Sequence, residues 1–207
     1  KQDTAGRKSL FMPVNRSVPD VAQKRKDWNG LIFGFKASDL VFLYESGCDT
    51  DMTRRYAYSL GGSRAVDSAP LSKPKNTTIL SSIQLDGTLR YTTFSGGTTV
   101  ERFKRYLETD LLPHLNGNSA LIMDNMKSHH AKAVRNLLDS SGVRCIYLPP
   151  YSPDLNPIEK LWSKVKALLR KFKARTLDAL PNAIQNAFHS VTVSDCSGWF
   201  RFCGYAL

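Results

Sequence analysis

The spacing of apolar residues changes once along this chain, and the change divides it in two. Up to about residue 95 hydrophobic positions come in short runs and alternations. Asp39 to Glu45 (D-L-V-F-L-Y-E) is a largely apolar strand candidate, Arg54 to Ser59 alternates, and Thr77 to Leu85 is rich in β-branched residues. Asp86-Gly87 is a strong turn signal leading into a further strand over Leu89 to Phe94. Together these segments predict a run of antiparallel hairpins. A helix over Pro19 to Trp28 precedes them, with Pro at its start and Asp20 in its first turn.

Beyond Gly96-Gly97 the period lengthens to that of helices. Thr98 or Thr99 can cap a helix reaching about Leu112, with Val100, Phe103, Tyr106 and Leu107 on one face and Pro113 beyond its end. Ala120 to Met123 reads as a buried strand, His130 to Leu138 as a helix, and Val143 to Leu148 as another buried strand. A long basic helix is expected from Asn156 to about Lys173, and one more from near Thr176. Three strands in a row, then alternating helix and strand, is the element order of an α/β ribonuclease-H-like fold, a mixed central sheet flanked by helices. Other mixed folds share that order. Residues 1–18 read as a linker and residues 19–207 as one domain; no internal repeat or low-complexity tract intervenes.

Composition narrows the class. The 207 residues are 42% hydrophobic, enough for one core of ordinary domain size. No apolar run approaches the roughly 20 residues that span a bilayer, and Lys1 to Arg16 lacks the apolar centre of a signal peptide. A cytoplasmic protein is expected. None of the four cysteines (Cys48, Cys145, Cys196, Cys203) stands in a Cys-x-x-Cys pair, so neither a zinc ribbon nor a redox motif is indicated. Lys and Arg number 29 against 18 acids, a net charge of +11. An excess of that size attracts polyanions, and nucleic acid is the first candidate.

Two segments carry candidate chemistry. In Leu121-Ile122-Met123-Asp124-Asn125, followed by Ser128-His129-His130, a carboxylate ends an apolar strand. Asp124 then stands at a sheet exit, where ligands bind, or it merely starts a turn. The second segment is L-P-P-Y-S-P-D-L-N-P-I-E, residues 148–159. Its four prolines stiffen the approach to a helix. Asn156, Pro157 and Glu159 suit the cap, the first helical position and the third residue after the cap. Glu159 is therefore either a site carboxylate or half of a capping box bonded back to the helix start. The stripe Ile158, Leu161, Trp162, Val165, Leu168, Leu169 and Phe172 reads as core. Opposite it lie Lys160, Lys164, Lys166, Arg170, Lys171 and Lys173, a basic face either solvated or laid along phosphates.

These segments resemble the catalytic domain of DDE transposases of the mariner-like superfamily, in particular their bacterial insertion-sequence branch. The string L-P-P-Y-S-P-D-L-N-P-I-E with Leu161-Trp162 is the most specific part of the likeness. Between Asp124 and Glu159 lie residues 125–158, 34 positions, the separation common between the second and third acids of that group. Asn125 and His129 match its D-N-x-x-x-H pattern, and the likeness runs from Val18 nearly to the chain end. It implies metal-dependent cleavage of transposon ends and strand transfer, with Asp124 and Glu159 as metal ligands and Asn125, His129 and Asn156 in support. Carboxylates suit this chemistry because two hard divalent ions, Mg2+ or Mn2+, can activate the attacking oxygen and stabilise the leaving one. The resemblance also implies double-stranded DNA as partner and a homodimer. Arg54, Arg55, Lys127, Lys160 and Lys164 are the candidate DNA contacts.

Two departures stand against the likeness. The first acid of the triad normally sits in a strand reading apolar-apolar-Asp-Glu-Ser/Thr-Gly, and here that strand reads Phe42-Leu43-Tyr44-Glu45-Ser46-Gly47. Tyr44 thus occupies the acid's position. Glu45 should point to the opposite face of the strand, because side chains alternate. Asp49 and Asp51 would need a loop to fold back. Weakened metal binding and impaired catalysis are expected. The second departure is that no helix-turn-helix region fits before Pro19. A non-catalytic DNA-binding or dimerisation module derived from such a transposase is the alternative. An unrelated ribonuclease-H-like nuclease acting on RNA–DNA hybrids would not explain the long Pro-rich string.

Overall fold

The computed structural model describes residues 19–53, 59, 61, 63, 64, 66 and 76–205. Five strands form one sheet in the order β3-β2-β1-β4-β5. They are β1 (Leu40–Cys48), β2 (Thr77–Ile83), β3 (Leu89–Ser95), β4 (Ala120–Met123) and β5 (Arg144–Tyr147). β1, β2 and β3 pair antiparallel, as the hairpin reading predicts, whereas β4 joins β1 and β5 joins β4 in parallel. Gly87 makes the β2–β3 turn possible: its φ is +88°, and an added Cβ would lie 3.1 Å from Val193 Cγ2. Asp86 Oδ1 accepts the Thr88 N–H at 2.8 Å and closes the turn. Most of the segment Arg54 to Ser59 lies outside the described residues.

The strict alternation of β1 sets up two cores. Leu40 and Phe42 face a layer of four helices: α1 (Pro19–Ile32), α4 (Ile158–Phe172), α5 (Ala179–His189) and α6 (Val193–Phe202). Val41 and Leu43 face the other way, onto α2 (Val100–Tyr106) and α3 (Lys132–Ser141). Phe42 is fully buried and meets Phe200 edge-on at 5.4 Å between ring centroids. A sheet so covered on both faces must be apolar on both, which is why β4 reads Ala-Leu-Ile-Met without alternation.

Three helices differ from expectation. The helix from Val100 stops at Tyr106, widens into a π-helix over Leu107–Leu111 and ends in a 3-10 turn, Leu112–His114, around Pro113. Thr99 caps its start through Arg102 N–H. The helix expected from His130 starts two residues later, as α3 at Lys132: Lys127–His130 form a separate 3-10 turn before it, and Ala131 between them is extended. The long basic helix starts at Ile158 rather than Asn156. Within its stripe Leu161, Trp162, Val165 and Leu169 are buried, but Phe172 in the last turn is exposed.

Candidate active site

The parallel pairing of β1 with β4 positions the first half of the site. Leu43 is registered with Met123, so the next residues, Tyr44 in the middle of β1 and Asp124 just past the end of β4, stand side by side. Registered partners in a parallel pair share a face. Phe42 and Ile122 belong to the helix-α4 side, Leu43 and Met123 to the other, so Tyr44 and Asp124 return to the α4 side. Glu45 falls on the opposite face.

The second half comes from the Pro-rich loop. Pro153–Leu155 make a 3-10 turn, Asn156 is buried, and Pro157 takes the N-cap position of α4. That cap carries no side-chain hydrogen bond. Of the two readings of Glu159, the capping box with Asn156 does not form: the Asn156 backbone oxygen accepts the Glu159 N–H at 3.1 Å, while its side-chain Oδ1 is buried without a partner. Glu159, in the first turn of α4, is left to face the sheet edge. A cleft of about 430 Å³ results, with Tyr44, Asp124 and Asn125 on one wall, Pro149 to Pro153 across it, and Asn156 and Glu159 closing it. Asp124 and Glu159, distant in sequence, thus share one cleft.

Hydrogen bonds hold Asp124 in place. His129 Nδ1 lies 2.8 Å from Asp124 Oδ1 and 3.1 Å from its backbone oxygen. Both are acceptors, so Nδ1 carries the proton. The ring is fully buried and stacks on Phe103 at 4.2 Å. Met126 N–H donates to the same Oδ1 at 3.1 Å. The 3-10 turn ahead of α3 is what carries His129 under Asp124. Asn125 Nδ2 donates to Leu148 O at 2.7 Å and ties the ends of β4 and β5 together.

Electrostatics follow from that packing. Burial raises the Glu159 carboxyl above its ordinary value; Lys166 pulls the other way, and Asp124 adds to the rise. Burial, then Glu159, Asp124 and Glu45, push the Tyr44 phenol up to about 12. At neutral pH Tyr44 is an uncharged hydroxyl between two acids. Among the described residues no group of three or more His, Cys, Asp or Glu gathers that could hold a metal, and neither Glu45, Asp49 nor Asp51 lines the cleft. Asp49 stands near Lys166 instead, raised by burial and by Asp51.

The expected DNA contacts part company. Lys127 is exposed beside Asp124. Lys160 lies 3.8 Å above the ring of Phe202, and Lys164 Nζ pairs with Asp195 Oδ2 at 2.5 Å, joining α4 to α6. A half-buried ion pair makes Lys164 a tie between helices rather than a free cation. Arg54 and Arg55 lie outside the described residues. Of the C-terminal aromatics Phe200 and Tyr205 are core, and Phe202 is exposed. Sequence reasoning missed Lys166 as the cation facing Glu159. It also missed Tyr151, half exposed on the cleft wall at φ +55°, a left-handed conformation costing about 1 kcal/mol outside glycine. Its flanking prolines were the available signal.

Comparison with known proteins agrees with this geometry. Residues 39–181 match the DDE superfamily endonuclease family. The Caenorhabditis elegans transposable element Tc1 transposase is 35% identical over 71 residues, 34% of this chain and 26% of that protein. The crystal structure of a pre-cleavage Mos1 transpososome superposes with a TM-score of 0.77 at 17% identity, over 97% of this chain and 63% of the other. The Mos1 mariner paired end complex with Mn gives 0.75 at 18% identity, over 97% and 63%. These likenesses establish the ribonuclease-H-like fold. The chain spans less than two thirds of the length of these relatives.

Proposed function

The chain belongs to the DDE superfamily endonuclease family, and on that footing we propose that it is the catalytic domain of a DNA transposase, whose chemistry is cleavage of transposon ends and strand transfer. The observation that supports the reading is the meeting of Asp124 and Glu159 in one cleft at the sheet edge. Their repulsion, part of what raises Glu159, is what a divalent cation would relieve.

The donor set fits a hard cation, Mg2+ or Mn2+, which prefers carboxylate oxygens and keeps part of its water. Asp124 and Glu159 would hold it. Bound there, such an ion polarises the phosphoryl oxygens and activates the attacking oxygen for in-line displacement. The chain's own residues prepare that step. His129 and the Met126 N–H fix Oδ1 of Asp124 and so orient the carboxylate that would hold the cation, while Lys166 offsets part of the charge on Glu159. Lys127, exposed beside Asp124, and Lys160 are candidates for phosphate contacts, and two chains acting as a homodimer would pair two ends of double-stranded DNA.

Tyr44 limits the reaction. A phenol near 12 contributes no negative charge, so two carboxylates must serve where the resemblance implies three for two ions. Weakened metal affinity and slow cleavage follow. The same residue favours a second reading, a DNA-binding or dimerisation module without catalysis. Manganese titration followed by electron paramagnetic resonance, with cleavage of transposon-end DNA in parallel, separates them. A catalytic domain binds one ion weakly and cleaves slowly, and Tyr44→Asp strengthens both. Unchanged manganese binding after Asp124→Asn and Glu159→Gln would overturn the assignment of the site. Binding that depends on those acids, with no cleavage even after Tyr44→Asp, would favour the module.

A further inference from the structure

Four of the nine residues from Pro149 to Pro157 are prolines, at 149, 150, 153 and 157. Each removes a backbone N–H, so the loop's own backbone bonds are few, Leu155 N–H to Ser152 O at 3.1 Å and Asn156 N–H to Pro153 O at 3.3 Å, and the helix it feeds has no side-chain cap. Residues remote in sequence hold it from outside as well. Arg25 of α1 forks onto Asp154, with Nη2 to Oδ2 at 2.7 Å and Nη1 to Oδ1 at 3.2 Å, and Nη1 also donates to Ser152 Oγ. The Ser152 hydroxyl in turn donates to Pro150 O at 3.1 Å. From the other end of the chain Tyr205 Oη donates to Leu155 O at 2.5 Å, its ring packed against Phe42 at 5.1 Å. Ser152 and Asn156 line the cleft beside Glu159.

We infer that Arg25 is a positioning residue for the candidate active site: its fork onto Asp154 and Ser152 fixes the loop that sets where Glu159 stands relative to Asp124. The inference rests on the proposed function only for its consequence in metal binding. A guanidinium suits the task because its planar fork engages a carboxylate through two parallel bonds while a third donor reaches the serine. The Arg25 side chain is 17% exposed and that of Asp154 38%, so the guanidinium is largely shielded while the carboxylate keeps one side to water. α1 thereby acts on the site without touching it.

Variants of the whole chain test this: Arg25→Ala, Arg25→Lys, Asp154→Ala and the double alanine variant. Amide hydrogen exchange reads the loop, and manganese affinity reads the carboxylates. Arg25→Ala and Asp154→Ala should each speed exchange at Leu155, Asn156 and Glu159 while β1 and β4 stay protected, and weaken manganese binding about tenfold, as loss of a supporting partner does. The double variant should lose no more than either single one. Lysine keeps the charge without the fork and should recover little. Added guanidinium ion should restore manganese binding to Arg25→Ala and not to Asp154→Ala, a response that general loosening of the fold would not give. Unchanged loop exchange in Arg25→Ala, additive losses, or faster exchange spread evenly through the sheet would overturn the inference. Should Arg25→Ala fail to fold, Asp154→Asn carries the same measurements. A chain that binds no manganese at all refutes the metal reading, and the exchange pattern still decides the role of Arg25.

Discussion

Tyr44 shows how much one side chain can decide when its backbone is fixed by its neighbours. The strand around it is buried on both faces, so the phenol cannot slip to another register and Glu45 cannot turn inward to replace it. Glu159 has a consequence of its own. Because burial raises its carboxyl above 4.5, the folded chain holds that proton more tightly than the unfolded one. Stability therefore falls as pH rises from about that value through the raised one. Without metal, Glu159→Gln should be the more stable protein above this window and equal to the parent below it. Thermal unfolding across pH measures this, and a difference constant with pH would refute it. His129 matters through Asp124: His129→Ala removes the donor to Oδ1 and should weaken manganese binding about tenfold or more, detectable by the same titration.

Among the elements, α4 couples core to site. Its buried stripe locks it onto β1, and its first turn carries Glu159. Trp162 is 3% exposed and meets Phe188 of α5 edge-on at 6.2 Å. Trp162→Ala should cost about 3–5 kcal/mol, the usual range for emptying an aromatic site in a core, measured by denaturant unfolding; a loss well under that would mean that α5 closes over the gap. The helix was plain in the sequence because its apolar residues keep a helical period over four turns. Its start was not. Asn156 and Glu159 have the letters of a capping box, but burial of the Asn156 side chain and the 3-10 turn before it take the cap away. The break at Ala131 was equally hidden, since nothing in Lys127 to His130 announces a separate turn until His129 is seen beneath Asp124.

At the scale of the whole molecule, charge is the property that matters. A net +11 over its 207 residues gives the chain an attraction for DNA that does not depend on base sequence. If binding rests on about six to ten phosphate contacts, affinity should fall by about 10³–10⁵ between about 50 and 200 mM salt. Fluorescence anisotropy with unrelated duplexes tests this, and salt-independent binding would point away from phosphate contacts. Not every lysine is equally available: Lys164 lies in an ion pair with Asp195, and only folding reveals that this part of the basic face of α4 is spent on tying two helices together.

The amino-acid order by itself determined the five strands, the helices α1 to α5 in outline but not α6, the burial of the central strands and the pair of acids, because periodicity and local turn chemistry are written within a few residues of where they act. It also identified Tyr44, since the residues on either side fix its place in the strand. What only the tertiary structure decided are the contacts closed between segments far apart in the chain: Arg25 on Asp154, Tyr44 beside Asp124 and Glu159, and Arg175 on the backbone oxygen of Met52. Such contacts depend on how layers stack on the sheet. No local pattern encodes that stacking, because the same apolar stripe buries equally well against more than one neighbour until the whole core has formed.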